Sequence, residues 1–220
     1  TRVGFEDTQL HVIRRGEGAP VLFIHGASGN AREFRASLEP EMPEGILRLS
    51  ADRPGHGYSG RIKDAEQLGR QAEAMAAVLA DQTDEPAVII GHSFGGAVAL
   101  RVALDHPEQV KAVVLLAPVT HDWGSGGINW YSQVAATPVI GHGFSQVGPI
   151  VGPGIARSSM DGLFSPAPAP DTYADDLGVN LLFRPPNFRA NAKDMVNLQT
   201  ELVQQQVRYA DELAVPVVVF

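Results

Sequence analysis

Cysteine is absent from this 220-residue chain. That excludes disulfides, thiol nucleophiles and zinc–thiolate sites, and it leaves the redox compartment open. Positive charge is scarce: 17 Lys and Arg stand against 25 Asp and Glu, a formal net charge of −8. Such a balance disfavours nucleic acid or an anionic membrane surface as a partner. No apolar run approaches the roughly 20 residues that cross a bilayer, so no membrane span is expected. HExxH, a clustered His/Asp set and an acidic ion-binding loop are also missing, and the reading expects no metal and no cofactor. The turn Gly26-Ala27-Ser28-Gly29-Asn30 has neither the lysine of a phosphate-binding loop nor the full dinucleotide glycine pattern. No signal segment is visible, and Thr1 in place of methionine leads us to expect a native start upstream.

What remains is an ordinary globular composition, 44% hydrophobic and 19% charged. The chain is organised around Gly91-His92-Ser93-Phe94-Gly95-Gly96. The apolar stretch 87–90 before it reads as a buried strand, and 97–104 after it as a helix. A serine flanked by glycines at a strand-to-helix junction is a nucleophile elbow, G-x-S-x-G. The turn is too tight for large neighbours, which Gly91 and Gly95 satisfy. It lifts Ser93 Oγ off the sheet at the positive end of the following helix, where the Phe94 N–H can face a developing oxyanion.

Along the chain, 3–5 and 10–13 read as a hairpin around Glu6-Asp7-Thr8, and 21–24 as a buried strand running into His25-Gly26. A helix is expected over residues 31–38 with Asn30 as its N-cap. Strands follow at 46–50 and 110–116, and helices at 64–79 and 194–207. Strands alternating with helices imply an α/β fold with a mostly parallel sheet covered on both faces. Residues 117–193 change character. Glycines (124–127, 141–143, 148–154) and the proline run 166–170 are scattered among Trp123, Trp130, Tyr131, Phe144 and Phe164. This stretch reads as an inserted helical cap. The expected division is a core of residues 1–120 and 205–220 with a cap of 121–204.

Four signals stand in one order: His25-Gly26, Asp52-Arg53-Pro54-Gly55-His56-Gly57-Tyr58-Ser59, the Ser93 elbow, and Val215-Pro216-Val217-Val218-Val219-Phe220. Together they resemble the α/β-hydrolase fold superfamily, and within it the capped bacterial esterase and lipase-like serine hydrolases. The resemblance covers nearly the whole chain and is weakest in the cap. It implies Ser93 as nucleophile, with the Ala27 and Phe94 N–H groups forming an oxyanion hole. It also implies an order of Ser, then acid, then His, so the acid and histidine are expected beyond Phe220, on a continuing segment or a complementing chain.

Histidines and acids already present are weighed beside this. His92, His121 and His142 are candidate bases, with His92 expected to point into the packing around the elbow. Asp122 is an alternative acid, or else closes a turn in the cap. Asp52 and His56 are expected to order their own loop, and His11 and His106 to lie at the surface. His25 is expected to fix its loop by a backbone hydrogen bond. With Ser28, Trp123 and Trp130 it is also a candidate pocket residue. A serine in the elbow argues against the carboxylate nucleophile that a dehalogenase or epoxide hydrolase of this fold would need. The expected function is hydrolysis of a small-molecule ester, or a related acyl bond, through an acyl-enzyme. The alternative is a non-catalytic module that binds a small molecule.

Overall fold

The computed structural model describes residues 1–35, 37–124, 128–168 and 170–220, with the side chains of 155 and 157–163 outside the description. Glycines 126 and 127 of the 124–127 run, Ala36 and Ala169 therefore lie outside it. Its strands are β1 (Arg2–Phe5), β2 (Thr8–Arg15), β3 (Ala19–Ile24), β4 (Ile46–Ala51), β5 (Ala87–His92), β6 (Val110–Leu116) and β7 (Val217–Val219). Its helices are α1 (Leu68–Gln82), α2 (Phe94–Asp105), α3 (Trp130–Ala136), α4 (Ile140–Ser145), α5 (Gly148–Phe164), α6 (Tyr173–Leu177), α7 (Pro185–Gln206) and α8 (Tyr209–Glu212). Among the described residues no helix is long and apolar enough to cross a membrane.

The strands form one sheet in the order β1-β2-β4-β3-β5-β6-β7. The β1–β2 and β2–β4 pairings are antiparallel, and every pairing from β4 to β7 is parallel. From β3 the chain goes to β4 on one side and then crosses to β5 on the other. Strand order therefore reverses at β3, and the carboxyl ends of β3 and β5 mark the place where open α/β sheets bind ligands. Ile24 pairs with Gly91, so the loops leaving these two strands start side by side.

Alternation along β3 divides the core. Leu22 and Ile24 join the larger apolar cluster, with α1 and α2, while Val21 and Phe23 face a smaller one with Phe34 and Ile90. Between Phe94 and Leu104, α2 is buried everywhere except at Arg101, as expected of a helix apolar on nearly every side.

Three helix expectations are corrected. Residues 31–35 and 37–38 form turns before a 3₁₀ turn at Glu39–Glu41, and residue 36 of that expected helix lies outside the description. Pro40 lacks the N–H that would carry an α-helix through this point, and the short segment before it has too few turns to hold one. The helix read from 64 begins at Leu68, because Asp64 takes a positive φ of 54°. The helix read from 194 begins nine residues earlier, at Pro185-Pro186, where missing N–H groups carry no penalty. Residue 204, the expected cap boundary, thus falls inside a continuous helix. One stripe of α7 is buried along its whole length: Asn187, Asn191, Asp194, Leu198, Leu202 and Gln205. Leu198 and Leu202 of that stripe belong to the main core.

Candidate functional site

Ser93 occupies the N-cap of α2 with φ 49° and ψ −116°, a region that non-glycine residues rarely occupy. The strain is held by sterics on both sides. A Cβ on Gly91 would stand 2.4 Å from Gly95 O, and one on Gly95 would stand 2.1 Å from Ile24 O. Backbone on backbone at these distances leaves no room for any other residue. The Ser93 N–H donates to Leu116 O at 3.0 Å, and Ser93 O accepts from Val119 N at 3.1 Å, tying the turn to the end of β6. The hydroxyl is half-buried and has no hydrogen-bond partner among the described residues.

The loop after β3 lies directly against this turn. A Cβ on Gly26 would stand 3.3 Å from Ser93 Cβ and 3.1 Å from His92 Nδ1. The Ala27 N–H meets no acceptor among the described residues. The Phe94 N–H is the first of α2, so it has no partner within the helix. Ser93, Ala27 and Phe94 are therefore brought to one edge of the sheet.

Beneath them is a buried polar layer. Arg53 is fully buried. Its guanidinium donates to His25 O, Gly26 O, Gln71 Oε1 and Asp194 Oδ2 at 2.8–3.2 Å and lies 4.2 Å from the centre of the Phe94 ring. Asp194 also accepts from Arg61 at 3.0 Å. Burial pulls Arg53 down and Asp194 up, as expected when opposite charges leave water together. His25 accepts from the Arg53 N–H at Nε2, 3.0 Å, so Nδ1 carries the proton and donates to Gly26 O, 2.8 Å. Burial, then the neighbouring Arg53 charge, lower the pKa of His25 to about 4. It fixes its loop, as expected, but it is sealed from solvent and so cannot line a pocket. His56 is buried beside Arg53 and is likewise held neutral by burial and by that charge. Asp52 accepts from the Ala31 and Tyr58 N–H groups and from His11 at 2.6–2.8 Å, which ties down three segments at once. His11, expected at the surface, is half-buried against Asp52.

The remaining titratable candidates do not gather at Ser93. His92 does not pack inward: its side chain is 42% exposed, and Nδ1 lies 2.6 Å from Glu33 Oε1. That hydrogen bond raises its pKa against the smaller opposing effect of burial. His121 bonds Thr120 Oγ1 and stacks edge-on against Tyr209, while His142 meets Arg189. Asp122 is exposed and accepts from the Gly124 N–H at 2.9 Å and from Gln199, which lowers its pKa. Among the described residues no histidine meets Asp122 or Ser93. Ser28 is bonded through its N–H and Oγ to Asn191 of α7. Trp130 is exposed and begins an aromatic row through Phe144 to Phe188, with centroids 6.0 and 6.3 Å apart. Trp123 is exposed as well. A separate groove of about 490 Å³, lined by Arg2, Thr8, Tyr58, Arg184 and Asn187, contains none of these residues.

Sequence reasoning missed Glu33. Read as part of a helix, it belongs to a solvated face. The available signal was the Gly26 N–H, a donor just past a strand end that needs an acceptor, and Glu33 accepts it.

The chain is 42% identical over 111 residues to the lipase LipV of Mycobacterium tuberculosis, a match covering 50% of this chain and 41% of that protein. It is 33% identical over 127 residues to a 2-hydroxymuconate semialdehyde hydrolase of a Pseudomonas species, covering 56% and 41%. The chain thus spans about two fifths of the length of these relatives. Among solved structures, epoxide hydrolase CorEH superposes with a TM-score of 0.82 at 18% identity, covering 100% of this chain and 80% of that one. A putative epoxide hydrolase from Pseudomonas aeruginosa gives 0.79 at 20%, covering 100% and 77%. At such identities the likeness is one of fold. The family profile of the alpha/beta hydrolase fold matches residues 19–150, more than half of the chain. Strand order, elbow and profile agree, and the chain belongs to the alpha/beta hydrolase fold family.

Proposed function

We propose that this protein is a serine hydrolase that cleaves a small-molecule carboxylic ester, or a related acyl bond, through an acyl-enzyme on Ser93. The observation that carries the reading is the strained Ser93 backbone, which presents an unpaired hydroxyl against Gly26 at the reversal of strand order. Lipase and hydrolase relatives support it. In this reading Ser93 Oγ attacks the carbonyl carbon and the π pair moves onto oxygen, where the Ala27 and Phe94 N–H groups receive it. The Oγ proton passes to a base. Collapse of the tetrahedral intermediate breaks the bond to the leaving alkoxide, which takes that proton, and water repeats the sequence to release the acid. The base is assigned to none of the seven histidines of this chain, since none meets Ser93; the reading assigns it, with its acid, to sequence outside residues 1–220. The segment from α3 to α6 and the first half of α7 serve as the cap, with Trp130, Phe144 and Phe188 as apolar walls.

Ser93→Ala should lower turnover of p-nitrophenyl butyrate by on the order of 10⁴ or more. A fluorophosphonate probe should label Ser93, as read by peptide mass. Turnover that survives the substitution overturns the reading. A second reading is a binding module without turnover, with the Trp130–Phe144–Phe188 row as its apolar wall. It is distinguished by small-molecule affinity that persists in both wild type and Ser93→Ala while neither turns over ester.

A further inference from the structure

The two loops that meet at the site must hold their N–H groups at one separation before any charge develops on a substrate. One side chain touches both loops. The Glu33 carboxylate accepts the Gly26 N–H at 3.2 and 3.3 Å, and Gly26 directly precedes Ala27. The same carboxylate receives His92 Nδ1 at 2.6 Å, and His92 directly precedes Ser93. It is half-buried, and a Cβ on Gly29 would stand 2.2 Å from Glu33 Oε2, so the 26–29 turn packs against the carboxylate. His25 and Arg53 of the buried layer, and Tyr173 of α6, all feel its charge.

We propose that Glu33 is the positioning residue of this site, a carboxylate strut that holds Gly26 and His92 on one anion and thereby sets the separation of the Ala27 and Phe94 N–H groups. The proposal rests on the serine-hydrolase reading. Charge-assisted hydrogen bonds are about twice as strong as neutral ones, so an ionised strut suits this task better than a hydroxyl or amide. Oxyanion donors act only if they are in place beforehand, and a misplacement of about 1 Å costs on the order of 10² in rate. Glu33 touches no reacting atom in this account. It acts through the two loops; as pH rises through the elevated pKa of His92 the imidazolium–carboxylate attraction is lost, while the bond from the Gly26 N–H remains.

The test compares Glu33→Ala, which removes both bonds, with Glu33→Gln, which keeps an acceptor for the Gly26 N–H and removes the charge. With p-nitrophenyl butyrate, kcat should fall on the order of 10²-fold in Glu33→Ala and about tenfold in Glu33→Gln, with KM within about threefold of wild type. By ¹⁵N NMR the His92 ring should titrate lower in both variants, and the Ala27 and Phe94 amide resonances should shift. These NMR readouts require no turnover. Unchanged His92 titration with unchanged Ala27 and Phe94 amides overturns the proposal. So does wild-type kcat in folded Glu33→Gln, even if Glu33→Ala fails to fold. A lowered melting temperature with kcat intact in the folded fraction assigns Glu33 to stability alone and also overturns it. Ser93→Ala separates the two claims: if it stays active, the reading of Ser93 falls and the strut with it. If it is dead while the Glu33 variants keep full kcat, only the strut falls.

Discussion

Glycine does opposite things at the elbow and at one exposed position of the insertion. At the elbow, Gly91 and Gly95 are pressed against backbone at 2.4 and 2.1 Å from where a Cβ would stand. In α4, a Cβ on Gly143 would meet nothing within 4 Å, whereas one on Gly141, which faces α3, would stand 2.2 Å from Ala135 O. The same contrast runs through the apolar residues. Those of β3, β5 and α2 are nearly all buried, whereas Val139, Ile140 and Ile150 of the insertion are 83%, 70% and 81% exposed. The core is thus specified by exclusion, because almost any added atom collides. The insertion is held by a few polar ties, such as Ser28 to Asn191 and Asn30 Nδ2 to Leu177 O at 2.7 Å. Geometry needed to tenths of an ångström sits where sterics dictate it. Surface that would meet substrates of different shapes sits where they do not.

Three measurements would break or sharpen this contrast. The largest effect belongs to Gly95→Ala, whose methyl can be housed only by parting β3 from α2. Urea unfolding should show a loss of more than about 4 kcal/mol, or no folded protein at all; a loss under 1 kcal/mol would refute exclusion as the rule for the core. Acid comes next. His25, with a folded pKa of about 4 against 6.5 unfolded, takes up its proton in the unfolded chain first. Stability from this group is therefore complete above pH 6.5 and drains away as pH falls toward 4. At 1.36 kcal/mol per unit, the loss for His25 alone is about 2 kcal/mol by pH 5, and His56 adds to it in the same direction. The urea midpoint should fall between pH 7 and pH 5; a flat profile would show that the buried layer opens at little cost. On the alkaline side the His92–Glu33 pair works oppositely: its contribution is full below pH 6.5 and is lost as pH rises through the elevated folded value. The smallest effect is Gly143→Ala, which should stabilise by about 0.5–1 kcal/mol through helix propensity alone. A comparable destabilisation would mean that the insertion is as tightly specified as the core.

Core and insertion were also unequally readable. The parallel strands and the elbow could be read from the chain because their signals are local. An apolar run such as Val21-Leu22-Phe23-Ile24 has nowhere to go but inside, and G-x-S-x-G encodes its own sterics. The N-terminal half of α7 was missed because its buried stripe there is polar. Asn187, Asn191 and Asp194 carry no hydrophobic period, and their reasons for burial lie on Gly57, Ser28 and Arg53, more than a hundred residues away. Glu33 was missed for a related reason. A turn that folds back to satisfy the Gly26 N–H looks, as sequence, like the first turns of an amphipathic helix. His92 reads as packing because it sits between a buried strand and a buried helix, yet the strained Ser93 backbone leaves it exposed.

The stripe on α7 also constrains how this chain can change in length. Its six buried positions are spaced three or four residues apart, and they engage the 52–60 loop, the 25–30 loop, Arg53, the main core and the Ala97 carbonyl. Deleting a single residue near the middle of the helix would turn everything beyond it by about 100° and slide it about 1.5 Å. Either the asparagines or the leucines would then face the wrong way. Among the described residues between α3 and α6 no helix carries a comparably long buried stripe. Length variation among descendants of this chain should therefore collect there and stop short at Arg184.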